Sequence, residues 1–104
     1  MTTWPVTVTA RAWDHAAADI AWHQTQAGPA VAATYLARLD AVLDELAVMP
    51  LLRPDDEALD ARHVFRRGFP QAVWYRVRGG EVRVLAITHG RMSCRTVEHR
   101  VGAA

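Results

Sequence analysis

The sequence predicts an α+β domain: an N-terminal strand, an antiparallel two-helix hairpin, then a three-stranded antiparallel meander, with the helices on one face of the sheet. Three observations carry that prediction. Apolar residues recur at helical spacing from about residue 10 to residue 49. The period changes to two from Arg62 onward. Gly79 and Gly80 sit between two alternating runs, as a two-residue hairpin turn requires.

Each element has its own local cause. "PVTVTA", residues 5–10, is short and β-branched, which suits a first strand. Thr9 stands where it can cap a helix beginning near Ala10. Along that helix Trp13, Ala17, Ile20, Gln24 and Ala27 fall at helical spacing and are expected to face the core. Gly28 closes it, and Pro29 fits the first turn of a second helix. There Ala32, Tyr35, Leu36, Leu39, Val42, Leu43 and Leu46 make one apolar stripe, with Arg38, Asp40, Asp44 and Glu45 off it. Pro50 stops this helix. Residues 51–61 carry four acids without the spacing of a calcium-binding loop, so a solvated connection is expected. "RHVFRRG", "PQAVWYRVR" and "EVRVLAIT" are then three strands, which the first strand joins at an edge or beside the last of them. "RTVEHRVGAA" is expected to be a partly ordered tail.

Length and composition fit one domain over residues 1–104, with a core over about 5–91 and a tail over 92–104. No stretch reaches the roughly 20 apolar residues of a membrane span. The N-terminus lacks the basic start and apolar run of a secretory signal. Cys94 is the one cysteine, which excludes an internal disulfide and a cysteine-rich metal site. A reducing cytoplasm fits these features. The spacing of His63, His89 and His99 gives no support for a metal, and no cofactor is implied. The formal net charge of +1 hides an asymmetry. Residues 1–60 hold three Arg against nine acids, a net −6, and residues 61–104 hold nine Arg against two Glu, a net +7. That segregation predicts a basic surface for an anionic partner, nucleic acid and acidic protein fitting equally.

The Gly79-Gly80 turn sets a register. It pairs Val77 with Val82, Tyr75 with Val84 and Val73 with Ala86 on the face toward the helices. The other face pairs Arg78 with Glu81, Arg76 with Arg83 and Trp74 with Leu85, followed by Ile87 and His89. Like charges directly across a ladder destabilise it by some tenths of a kcal/mol. An aromatic-aliphatic strip beside paired arginines is therefore expected to receive an acidic amphipathic segment. Such a face would use Trp74, Arg76, Arg83, Leu85, Ile87, His89 and Arg91. Alternatively the tail folds back and Glu98 neutralises the arginines within the chain. Arg62, with Arg66 or Arg67, His89 and Arg91, would add a phosphate-gripping cluster with one titratable imidazole.

Several short stretches carry a family resemblance: "A-x-x-D-I" at Ala16–Ile20, "Y-L-x-x-L" at Tyr35–Leu39 and "L-A-x-x-P" at Leu46–Pro50. "V-W-Y-R-V" at Val73–Val77 and "V-L-A-I-T-H-G-R" at Val84–Arg91 continue the series. In this order they resemble the RelE/ParE toxins of bacterial type II toxin-antitoxin systems, over residues 5–91. The resemblance implies the fold above, a cognate acidic antitoxin, and a toxin-antitoxin hetero-oligomer with no membrane association. It implies two possible targets. RelE-like members cleave mRNA in the ribosome; Arg62, Arg83, His89 and Arg91 would be the catalytic set here, His89 serving as acid or base. ParE-like members inhibit DNA gyrase by protein-protein contact. Ala72 stands where the nucleases carry an Arg, no tyrosine follows Tyr75, and "HGR" at 89–91 matches the ParE-like ending. The resemblance is thus closer to the ParE-like branch, with a degenerate toxin that only binds its antitoxin as a further alternative.

Overall fold

The computed structural model describes residues 3–66, 69–89 and 92–102. β1 (Val6–Val8) leads into α1 (Ala10–Ala27), and α2 (Ala30–Val48) completes the helical hairpin. β2 (Asp55–Asp56), β3 (Ala61–Arg66), β4 (Phe69–Arg78) and β5 (Glu81–His89) follow, then α3 (Cys94–Gly102). The five strands form one sheet in the order β1-β5-β4-β3-β2. β1 is parallel to β5 and lies at the sheet edge; the other pairings are antiparallel. The predicted α+β architecture and meander are present.

Local chemistry sets the helix ends. The Thr9 hydroxyl accepts the Ala12 backbone N–H at 3.1 Å, as a capping residue should. Gly28 ends α1 at φ 92, a left-handed conformation that a side chain would oppose. Its N–H bonds to the Gln24 carbonyl at 2.9 Å.

α2 buries Tyr35, Leu39, Val42 and Leu46 from the expected stripe, while Leu36 is largely exposed. α1 departs from expectation. Its buried residues are Ala12 and Ala16, whereas Trp13 is 43% exposed. Alanine fills so much of α1 that helical spacing alone permits more than one inward face. The sheet takes the face of small side chains, because a bulky indole there would hold the helix away from β5.

Two cores flank the sheet. On the hairpin side Ala12, Ala16, Tyr35, Leu39, Val42 and Leu46 meet Val64, Val73, Tyr75, Val82, Val84 and Ile87. On the opposite side Ala61, Ala72, Trp74, Leu85 and Ala86 are covered by Val97 and Val101 of α3. The expected tail is therefore a helix that makes a third layer. Its sequence places Val97 and Val101 four residues apart, on one face.

The β4–β5 register agrees with expectation from the turn to Tyr75↔Val84, and then shifts. Beyond it Trp74 faces Ala86 and Val73 faces Ile87, so Leu85 is the extra residue of a β-bulge. The expected pairs Val73–Ala86 and Trp74–Leu85 are thereby corrected. Leu85 and Ala86 both join the α3-side core, and Ile87 crosses to the hairpin side. A two-residue periodicity cannot register one inserted residue, which reverses every face after it.

Candidate functional site

Arg76 and Arg83 face each other across β4 and β5, as the turn predicts. What neutralises Arg76 is Asp60, in the turn between β2 and β3. The Arg76 Nε donates to the Asp60 carbonyl at 2.7 Å and lies 3.4 Å from the carboxylate. Arg78 is paired across the ladder with Glu81, and places Nη2 2.5 Å from the same Asp60 carboxylate. The Arg78 hydrogen bond is the main cause that holds the Asp60 carboxyl below its ordinary range. Asp60 adopts φ 50, the one positive φ outside glycine among the described residues. Aspartate tolerates this conformation better than most residues. Arg83 is exposed, and its side chain has no hydrogen bond or ion pair among the described residues. Asp60, Arg76, Arg78, Glu81 and Arg83 line an open depression of about 310 Å³.

The apolar strip expected beside these arginines is covered. Trp74 is 7% exposed and Leu85 fully buried, both in the core closed by α3. Trp74 also donates from Nε1 to the Thr88 hydroxyl at 3.0 Å. Ile87 is fully buried on the hairpin side. The tail does fold back, yet Glu98 forms no ion pair with either arginine among the described residues. On this face the exposed residue beside the covered core is Phe65, which meets the His63 ring edge-on at 5.5 Å. His63 in turn lies against Trp74 at 4.4 Å.

The residues named for nuclease chemistry are spread apart. Arg62 alternates with Ala61 and His63, so its side chain lies on the hairpin side, where Nη1 donates to the Arg53 carbonyl. Nearby, Glu45 of α2 accepts from Arg53 at 2.8 Å and from Arg66 at 3.1 Å. Arg83 is on the opposite face. His89 stands six residues further along β5, about 20 Å at strand rise. The bulge places it on the hairpin side, across the ladder from Gln71. Arg67 and Arg91 lie outside the described residues.

A polar cluster around His89 has no counterpart in the expectations. Tyr35 donates to the Asp19 carboxylate at 3.0 Å. Burial raises the Asp19 carboxyl above its ordinary range, and also raises the Tyr35 hydroxyl. The Gln71 amide nitrogen lies 3.2 Å from His23 Nε2, while its oxygen is buried with no hydrogen-bond partner among the described residues. One turn back, His15 Nδ1 accepts the Ile87 N–H at 3.2 Å, and Arg100 of α3 donates to the Ile87 carbonyl at 2.8 Å. These side chains satisfy the β5 edge beyond the end of β1. Burial, with Arg100 and Arg11 close by, lowers the His15 pKa to about 4. The signal was legible in principle: His15, Asp19 and His23 recur every four residues and share one face of α1. The bulky indole of Trp13, also at helical spacing, competes with that face in the sequence pattern. No group of three His, Cys, Asp or Glu is arranged to hold a metal ion among the described residues.

A family model described as "ParE toxin of type II toxin-antitoxin system, parDE" matches residues 6–94, from β1 to the first residue of α3. Among solved structures, the chain is similar to one titled "Chromosomal ParDE TA system from P. aeruginosa". The identity is 19% and the TM-score 0.72, covering 83% of this chain and 95% of that one. At that identity the likeness concerns the fold. A search of curated proteins found no match. The family model takes in the hairpin and the whole sheet from β1 to β5, so the chain belongs to the ParE toxin family of type II toxin-antitoxin systems.

Proposed function

We propose that the protein is a cytoplasmic toxin that inhibits DNA gyrase by direct contact and is held inactive by a cognate acidic antitoxin in a hetero-oligomer. Residues 1–104 act as one toxin domain. The observation that carries the gyrase reading over mRNA cleavage is the separation of Arg62, Arg83 and His89. General acid-base catalysis and phosphate stabilisation need groups within hydrogen-bond reach of one phosphodiester. Here Arg62 and Arg83 project from opposite faces of the sheet, and His89 lies at the far end of β5. A protein-protein contact has no such requirement, and the exposed Arg83 remains available to it.

Purified protein added to gyrase and relaxed plasmid is expected to suppress supercoiling and accumulate cleaved DNA. Induced expression is expected to raise a DNA-damage response before translation stops. Supercoiling that continues undisturbed at micromolar excess, with mRNA cut at the ribosome, would overturn this function. The antitoxin arm is supported by the arginine face, whose residues Arg76 and Arg83 suit an acidic segment.

A further inference from the structure

Three guanidinium groups, those of Arg76, Arg78 and Arg83, share one face at the turn end of β4 and β5. They border a depression that holds one well-placed anion of the chain itself, Asp60. The second wall acid, Glu81, has no ion pair with them among the described residues. Asp60 performs this role from an exposed position, 57% accessible, and from the left-handed backbone region. Its contacts are made within the free chain, yet they leave Arg83 bare. A like-charged pair with only one member neutralised is an incomplete arrangement.

We infer that this depression receives a carboxylate side chain from the antitoxin, and that Asp60 is its resident competitor. The inference rests on the antitoxin reading above. The incoming carboxylate pairs first with Arg83, whose planar fork donates to both carboxylate oxygens. It then takes Arg76 and Arg78 from Asp60, which turns out to solvent. A side-chain carboxylate fits better than a nucleic-acid backbone. Asp60 and Glu81 on the walls repel a polyanion whose charges recur every few ångströms, whereas a single carboxylate passes between them.

The test uses the intact protein and two ligands. One is a labelled peptide of about ten residues, Leu alternating with Thr around a single central Glu, in the extended form that suits a sheet surface. The other is the protein encoded by the reading frame beside the gene, where that frame encodes a short acidic chain. Asp60→Asn removes the competing charge while keeping a side chain that tolerates φ 50. It is expected to bind the peptide about twofold to fivefold more tightly, the range an exposed ion pair supports. Arg83→Gln is expected to weaken binding by about the same factor. Arg95→Gln, on α3 and outside the depression, is expected to bind as wild type. Wild-type affinity in Asp60→Asn, or an equal loss in Arg95→Gln, overturns the proposal. The neighbouring protein judges the underlying reading separately. If it does not bind the wild-type chain, the antitoxin reading falls, while the peptide series still decides whether the depression takes carboxylates.

Discussion

His15 illustrates how one residue ties the helical layer to the sheet. Its Nδ1 accepts the Ile87 N–H only while that nitrogen is unprotonated. Its folded pKa of about 4 lies below the ordinary 6.5. Between those values the unfolded chain binds the extra proton, so this residue's contribution is present above about pH 6.5 and is lost as pH falls toward 4. Asp19 has the opposite sign. Its raised carboxyl pKa makes the folded chain bind more protons, so stability is lost as pH rises through that value. His15→Asn keeps an acceptor near the Nδ1 position and removes the titration. The drop in melting temperature from pH 7 to pH 4.5 is therefore expected to be smaller in His15→Asn than in wild type; equal drops would refute the assignment. Thr9 could be read from its neighbours, since a cap bonds three residues away. Asp60 could not, because its arginines lie 16 and 18 residues along the chain.

At the scale of elements, α3 is the part that the sequence concealed most. Its length is nine residues, and its few apolar positions make it a weak helix on intrinsic grounds. Packing supplies what propensity lacks: Val97 and Val101 cover Trp74, Leu85 and Ala86, and Arg100 bonds the Ile87 carbonyl. Val101→Ala is expected to destabilise the protein by about 1–3 kcal/mol, the cost of deleting buried methyl groups and leaving their space partly empty. Denaturant unfolding measures it; a change below about 0.5 kcal/mol, the size typical of surface substitutions, would mean that α3 is not a structural layer. The bulge at Leu85 acts at the same scale. It decides that Ala86 belongs under α3, beside Trp74 and Leu85, while Ile87 belongs under the hairpin. The interaction face expected from strict alternation thus contracts to the arginines nearest the turn.

Across the whole molecule, folding reunites much of the charge that the sequence segregates. Arg66 joins Glu45, and Arg76 and Arg78 join Asp60, each an ion pair between the acidic first sixty residues and the basic remainder. The basic surface left for a partner is smaller than composition implied, and Arg83 is its clearest member. Association with the proposed antitoxin is still expected to be steered electrostatically, its on-rate falling by about tenfold as salt rises from low to well above physiological strength. A salt-independent on-rate would point to an apolar contact instead. What the sequence determined by itself is what depends on neighbours along the chain. That includes the helical hairpin and its caps, the Gly79-Gly80 turn, the Arg76–Arg83 pairing and the family resemblance. Tertiary structure alone decided which face of α1 turns inward, where β5 gains a residue, what α3 covers and which acid meets the arginines. Those outcomes depend on fit between surfaces distant in sequence, and a period of two or 3.6 residues carries no information about such fit.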